Sequence, residues 1–166
     1  GSFSGWRTPG TTPTMPLCAY KTRVQVFYCC ESLTSITIPE SVTSIGSSAF
    51  SSCSSLTSIT IPESVTAIGK GAFRYCSSLT SITIPERVTR IGEYAFDDCE
   101  NLKQVYCEPL VPPQAIINDD NRFRMWQAFN DNAEGRKIYV PRIKVDSYKE
   151  AGGWSDYKQD IEGYDF

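Results

Sequence analysis

Four of the seven cysteines recur at a fixed interval, a spacing that could support metal binding or disulfide formation. They are Cys30, Cys53, Cys76 and Cys99, and the interval between neighbours is constant. The chain has no Cys-x-x-Cys pair and no histidine, so the sequence argues against a zinc site. Because equivalent side chains of a repeat point in the same direction, we expect these four cysteines to be buried free thiols.

The other three cysteines lie outside this series. Cys107 falls where the repeat described below predicts an inward side chain, so we expect a further buried thiol. Cys18 and Cys29 lie in the irregular N-terminal part, where one disulfide could form. The odd number of cysteines leaves at least one thiol unpaired within a monomer.

The remaining polar residues do not form a recognisable catalytic or ligand-binding set. Without histidine, the chain lacks the commonest general base and the commonest metal ligand. The Gly-Lys-Gly run at 69–71 lacks the flanking residues of a phosphate-binding loop. The Asp pairs at 97–98 and 119–120 lack EF-hand spacing, and we interpret both as solvated turns. We therefore predict no catalytic residues, no metal site and no cofactor, and we expect the protein not to be an enzyme.

The cysteine spacing belongs to a longer internal repeat. Three tandem segments of equal length span Glu31–Cys53, Ser54–Cys76 and Ser77–Cys99. Neighbouring segments are identical at 17 of 23 positions, and the shared frame is L-T-S-I-T-I-P-E-x-V-T-x-I-G-x-x-A-F-x-x-C. The recurrence of Glu40, Glu63 and Glu86 follows from this repeat and does not require a functional site.

Each repeat predicts one short strand followed by a return segment. Ile36 and Ile38 alternate with Thr37, so both isoleucines face one side of a strand, and the following proline ends it. Gly46 and its equivalents are expected to adopt a backbone angle that other residues resist. A single coil cannot bury its apolar face, so the coils must stack, with strands about 4.8 Å apart in a parallel sheet. We expect two stacks, Phe50 with Phe73 and Phe96, and Ile36 with Ile59 and Ile82.

The frame resembles the BspA-like leucine-rich repeats, also called the Treponema pallidum type. The resemblance is carried by C-x-x-L-x-x-I-x-I-P-x-x-V-x-x-I-G-x-x-A-F, which runs from Cys53 to Phe73. It implies an α/β-type repeat solenoid: a right-handed coil with a short-stranded parallel sheet on one face, about five coils and capped ends. Members are commonly bacterial surface or secreted proteins, and some are adhesins. The resemblance therefore implies a protein ligand, such as a host matrix or another cell-surface protein.

We predict a single domain, residues 1–166, in four parts. They are a tag remnant with a degenerate N-terminal coil or cap (1–29), regular repeats (30–107), an expanded coil with an insertion (108–137), and a last strand with a C-terminal cap (138–166). The Ala-Phe pair at 128–129 follows that at 95–96 by ten positions more than the repeat period. This excess predicts a ten-residue insertion between Glu108 and Trp126.

The two ends of the chain are expected to cap the core. Residues 8–30 are predicted to form a degenerate first coil or an N-terminal cap, with Phe27 and Cys30 in the Phe and Cys positions, and 24–27 could instead be an extra strand. At the other end we expect a helix over Val145–Ala151, and Trp154, Tyr157 and Ile161 over the open core. This ending resembles the C-terminal cap of secreted BspA-like proteins from gut Bacteroides-type bacteria.

Composition excludes two classes of partner. The net charge of −3 gives no electrostatic attraction to nucleic acid, and no run reaches the roughly 18 apolar residues of a membrane span. We expect a monomer. The opening Gly1-Ser2 resembles an expression-tag remnant, so we expect the N-terminus to carry no information on localisation.

The outward positions of the predicted strands form the candidate binding face. Three strands carry small hydroxyls, and the last two carry larger side chains; the set is Ser35, Thr37, Ser58, Thr60, Ser81, Thr83, Gln104, Tyr106, Lys137 and Tyr139. Tyrosine is enriched at binding hot spots and serine and threonine are not. We therefore expect Tyr106, Lys137 and Tyr139 to anchor a partner, although outward Thr and Tyr also simply suit a strand.

Three functions are compatible with such a face. The first is a cell-surface or secreted protein-binding module of the adhesion type. The second is a structural spacer without its own ligand, which the near-identical repeats favour. A remote third is ice binding, because Ser-x-Thr recurs regularly along the sheet.

Overall fold

The structure is a computed structural model that describes residues 27–116 and 127–166. Equivalent residues of successive coils lie one above another. In chain order the elements are β1 (Ser35–Thr37), β2 (Ser44–Ile45), β3 (Ser58–Thr60), β4 (Ala67–Ile68), β5 (Ser81–Ile84), β6 (Arg90–Gly92), β7 (Gln104–Cys107), β8 (Gln114–Ile116), β9 (Lys137–Pro141), α1 (Val145–Glu150) and β10 (Ile161–Tyr164). Within the described residues α1 is the one α-helix, so the repeat coils themselves are built of strands and turns.

The first strand of each coil lies on one face, and all pairings there are parallel. β1 pairs with β3, and β5, β7, β9 and β10 form a four-stranded sheet. Ile36 lies opposite Ile59, and further along Ile82, Val105, Ile138 and Ile161 follow one another in register. All six are buried, as strand alternation requires. The predicted repeat solenoid of about five coils with a short-stranded parallel sheet is confirmed.

A second row of strands, not predicted from the sequence, lies on the return segments. β2, β4, β6 and β8 pair in parallel in that order. These strands have two or three residues each, and β2, β4 and β6 contain a single large apolar residue each, so no apolar alternation marks them in the sequence.

This second row corrects the prediction for the repeated glycine. We expected Gly46, Gly69 and Gly92 to need an unusual backbone angle, but the positive-φ glycines of the described residues are Gly71, Gly135 and Gly153. A Cβ on Gly69 would lie 2.5 Å from the backbone nitrogen of Ser47 in the preceding coil. Glycine is therefore required by the close approach of two backbones.

A phenylalanine stack forms the other side of the core. It comprises Phe27, Phe50, Phe73, Phe96 and Phe129, with ring centroids 5.2–5.4 Å apart and nearly parallel planes. The predicted stacking is confirmed, and so is the assignment of Phe27 to the first position. The remainder of the predicted N-terminal coil or strand, residues 8–26, lies outside the described residues.

Buried thiols run alongside this stack. The Sγ atoms of Cys53, Cys76 and Cys99 donate to phenylalanine carbonyls of the preceding coil at 3.1–3.2 Å. These three cysteines and Cys107 are free and fully buried, as predicted.

Two cysteine predictions are wrong. Cys30 is disulfide-bonded instead of a free thiol, and Cys18 lies outside the described residues. Cys29 is free and exposed, so it does not form the disulfide that we considered for it. Cys30 precedes the three regular repeats, so the repeat frame alone did not determine its state.

The register of the expanded coil divides the insertion into two parts. Ala115 in β8 pairs with Ile91, an interval that exceeds the repeat period by one. Phe129 stacks on Phe96, an interval that exceeds the period by ten. One inserted residue therefore precedes β8, and the other nine lie between Ile116 and Phe129, a segment mostly outside the described residues.

The C-terminal part closes the core as predicted. α1 ends one residue before the predicted boundary, and Gly153 after it has a φ of 85°. Trp154 and Tyr157 are buried against the Phe129 ring, with centroids 5.8 and 5.7 Å away. Ile161 is buried as well, but it belongs to β10, a further strand one repeat period after β9 that the sequence pattern did not reveal.

Candidate functional site

The ten residues of the predicted binding face lie at outward register positions of β1, β3, β5, β7 and β9. In β5 the buried Ile82 and Ile84 alternate with the exposed Ser81 and Thr83, and the other strands follow this pattern. Ser35, Thr37, Ser58, Thr60, Ser81 and Thr83 cover the first part, and Gln104, Tyr106, Lys137 and Tyr139 the second. Their role in binding stays a prediction.

The hydroxyl-bearing part is divided in its backbone hydrogen bonding. β1 and β3 pair with each other, whereas β5 belongs to the separate sheet that contains β7. The small side chains of Ser58 and Thr60 thus end one sheet, and those of Ser81 and Thr83 begin the next.

The second part is an aromatic cluster. Tyr106 and Tyr139 stack with ring centroids 5.0 Å apart. Tyr164 of β10 lies 5.5 Å from each of them, and Phe166 lies 5.1 Å from Tyr164. We call Tyr106, Tyr139 and Tyr164 the tyrosine cluster. Sequence reasoning missed Tyr164 and Phe166, although Glu162 lies one repeat period after Tyr139 and this interval could have shown the strand.

An ion pair lies at the edge of the tyrosine cluster. Lys137 forms an ion pair with Glu162 of the neighbouring strand, and this carboxylate raises the lysine pKa. The Tyr106 pKa is raised by partial burial and by the neighbouring Tyr139 and Tyr164. Lys137, predicted as an anchor, is therefore already paired within the protein.

An open groove of about 480 Å³ borders the tyrosine cluster at the C-terminal ends of the strands. Its wall includes large apolar side chains that are unusually exposed: Ile143 is 82% exposed, Phe166 54%, Leu110 46% and Tyr164 42%. The rest of the lining is Glu86, Glu108, Pro141, Arg142 and Asp165. Leu110, Ile143 and Phe166 are in no repeat copy, so the repeat pattern gave no signal for them.

The opposite side of the coils carries ionic contacts between successive coils. Lys70 pairs with Glu93 at 2.8 Å. Arg74 pairs with Asp97 at 2.8 Å and its guanidinium lies 4.5 Å from the Tyr75 ring centroid. Asp97 is buried, so the predicted solvated position is wrong for this residue, and burial, followed by the charge of Asp98, raises its pKa to about 6. These contacts link neighbouring coils and do not assemble a nucleophile with a base.

The four buried thiols are also poorly suited to act as nucleophiles. Burial raises the pKa of Cys53, Cys99 and Cys107 to about 12, and burial also raises that of Cys76. A thiol becomes nucleophilic only as the thiolate. Within the described ranges, 27–116 and 127–166, no group of three or more His, Cys, Asp or Glu side chains is placed to hold a metal ion.

A membrane-spanning helix is not found in the part of the chain that the structure describes.

Two solved bacterial structures share this architecture. The T. pallidum leucine-rich repeat protein is 28% identical with a TM-score of 0.62, over 84% of this chain and 59% of that one. A leucine-rich cell surface protein from Faecalibacterium prausnitzii A2-165 is 33% identical with a TM-score of 0.52, over 71% of this chain and 38% of that one. The chain thus spans less than two thirds of either relative. No curated protein sequence gives a significant match.

The repeat frame itself has a family match. Residues 21–113 match the BspA type leucine-rich repeat region in six copies. The matched range, the constant coil interval and the two similar structures all agree with the stacked parallel strands described above. The chain belongs to the BspA type leucine-rich repeat family.

Proposed function

We propose that the chain is a non-enzymatic protein-binding module, at the cell surface or secreted, and that its partner binds at the tyrosine cluster and the adjoining groove. The observation that carries this proposal is the distribution of exposed apolar side chains. Of the seven large hydrophobic residues that are exposed among the described residues, five lie beyond residue 102. They are Leu110, Val111, Ile143, Tyr164 and Phe166.

The clustering of these side chains favours a binding role over a merely structural one. Single exposed apolar residues are normal on any protein, whereas a contiguous patch rimmed by polar groups marks an interaction site. Here the patch includes Tyr164 and adjoins Tyr106 and Tyr139, and tyrosine is a residue type that supplies much of the binding energy at interfaces. The regular coils before it present mainly serine and threonine hydroxyls, which contribute little.

The proposed location has separate support. The F. prausnitzii relative is described as a cell surface protein. A host matrix or cell-surface protein is the partner class that we propose to test first.

Solid-phase binding to immobilised matrix proteins and to intact cells tests this function. The variant Tyr106→Ala/Tyr139→Ala is expected to bind at least about tenfold more weakly, since hot-spot tyrosines commonly contribute that much. Ser35→Ala/Thr37→Ala is the matched control and should bind as the wild type does. Equal binding by both variants would contradict the site, and circular dichroism would establish that both remain folded.

A structural spacer is the second candidate, favoured by the near-identity of the three regular coils. A spacer needs stability and length but no specific surface. If the chain is a spacer, neither double variant changes binding or the attachment of cells. A change in the number of coils would instead change the distance at which the chain holds a domain joined to it.

A further inference from the structure

The groove beside the tyrosine cluster carries an excess of negative charge. Glu86 and Glu108 both line it. Burial raises the pKa of Glu108, and the nearby charges of Glu63 and Glu86 raise it further. A carboxylate row of this kind is a consequence of stacking, because Glu63 and Glu86 occupy the same position in successive coils.

No cation of the described chain neutralises these groups. The ion pairs of the described residues use Glu93, Asp97, Asp98, Asp160, Glu162 and Asp165 as their acids. Arg142 lines the same groove, but its guanidinium is held by Asp165 through bonds of 2.9 and 3.2 Å from Nε and 2.9 Å from Nη2. Among the described residues, the groove therefore has one compensated pair and two carboxylates without a cationic partner.

The apolar wall lies directly beside these carboxylates. The exposed side chains of Ile143, Leu110 and Phe166 line the same groove. A volume of about 480 Å³ falls within the usual range of about 300–1,000 Å³ for ligand sites, which accommodates a few side chains but not a folded domain. A fitting ligand combines an apolar group with a positive charge next to it.

We propose that this groove binds an extended basic segment of the partner protein, in which lysine or arginine side chains adjoin an aromatic or aliphatic one. The cations lie against Glu86 and Glu108, and the apolar side chain packs on Ile143 and Phe166. This proposal rests on the proposed protein-binding function and adds the chemistry of the partner.

Electrostatic complementarity also sets how binding depends on salt. Each exposed charge pair changes an affinity by roughly 1.4-fold to fivefold, and this contribution is screened as ionic strength rises. Two such pairs amount to an affinity change of roughly twofold to thirtyfold. The apolar contact adds affinity that salt does not weaken, so a basic peptide is expected to retain part of its binding at high salt.

Fluorescence anisotropy with three short labelled peptides tests the proposal. The first alternates arginine and tryptophan with serine, the second replaces each arginine by glutamate, and the third replaces each tryptophan by serine. We expect the first to bind most tightly, and its affinity to fall about fivefold to tenfold in Glu86→Gln/Glu108→Gln. Ile143→Ser should weaken the tryptophan-bearing peptides alone.

Glu31→Gln/Glu40→Gln is the matched control, because it removes the same charge from two exposed positions of the first coil. It should leave the affinity for the basic peptide within about twofold of the wild type. Equal loss in both double variants would mean a general charge effect and overturn the groove assignment.

Two further outcomes separate this inference from the proposed function. If the acidic peptide binds as tightly as the basic one, the basic partner is wrong while protein binding through the tyrosine cluster stands. If none of the three peptides binds, the groove is not a docking site for extended segments, and the solid-phase assay with Tyr106→Ala/Tyr139→Ala still decides the function independently.

Discussion

Two parts of the molecule share one kind of core but have different surfaces. They are the regular coils, residues 33–99, and the C-terminal part, residues 102–166. Both contribute to one phenylalanine stack and to parallel strands with buried aliphatic side chains. Outside, the regular coils present Ser81 and Thr83 where the next strand presents Gln104 and Tyr106. The kinds of buried residue are therefore repeated along the stack, whereas the exposed residues change where the three near-identical repeats end.

This difference indicates how a repeat protein separates stability from recognition. A solenoid is stabilised by contacts between neighbouring coils, so each copy of the frame adds a similar increment. Exposed apolar side chains add little to that stability and increase the risk of aggregation. Their concentration at one end is therefore informative about function.

The largest expected effect comes from the shared interior. Phe73→Ala removes the middle ring of the stack, which is fully buried, and should lower the free energy of unfolding by about 3–5 kcal/mol. Phe166→Ala removes a ring that is 54% exposed and should change it by less than about 1 kcal/mol. Urea unfolding followed by circular dichroism measures both. Similar losses would mean that the C-terminal aromatics are structural, and the comparison would fail.

A smaller effect tests the close approach of successive coils. Gly69→Ala places a methyl group 2.5 Å from the Ser47 nitrogen and should destabilise the fold by about 1–3 kcal/mol through backbone displacement. Gly152→Ala, with nothing within 4 Å of its added Cβ, should be neutral or slightly stabilising because it restricts the unfolded chain. Thermal unfolding distinguishes the two, and an unchanged midpoint for Gly69→Ala would show that the coils separate easily at this point.

The smallest effect concerns the ionic contacts between regular coils. The pKa of Asp97 is raised from 3.8 to about 6, so the folded state binds a proton that the unfolded state releases between about pH 4 and 6. Stability conferred by this group is consequently greatest below about pH 4 and is lost as the pH rises through 6. As the pH rises from about 4 to 7, the stability of Asp97→Asn relative to wild type should therefore increase by about 1–2 kcal/mol, which is less than the roughly 3 kcal/mol of the full pKa difference because solvent screening and local relaxation reduce it. Chemical unfolding at the two pH values measures this difference, which should vanish if Asp97 titrates normally.

The sequence predicted the interior well because the interior is periodic. A buried position must be refilled by the same residue in each coil, and the recurrence of Phe50, Phe73 and Phe96 was therefore enough to predict their stacking. The same recurrence placed Phe129 across a ten-residue insertion. It misled us at Gly69, because recurrence shows that glycine is needed but not whether the reason is a backbone angle or the space for a Cβ.

The exterior was less predictable because it departs from the period. Alternation within the strands identified Tyr106 and Tyr139, but β10 has glycine at an inward position and escaped notice. The exposed Leu110, Ile143 and Phe166 converge on the groove only through the folding of the C-terminal part. Side chains brought together by tertiary structure outside any repeat leave no spacing signal in the chain.

The contrast between Cys29 and the buried thiols offers a practical route to studying binding. Cys29 is exposed at the N-terminal end of the described stack, whereas Cys53, Cys76, Cys99 and Cys107 are fully buried and have raised pKa values. A maleimide dye applied to the native protein at neutral pH should therefore label Cys29 selectively among these five. Such a fluorophore lies several coils from the tyrosine cluster. It would report the diffusion and surface tethering of single molecules without occupying the proposed binding surface.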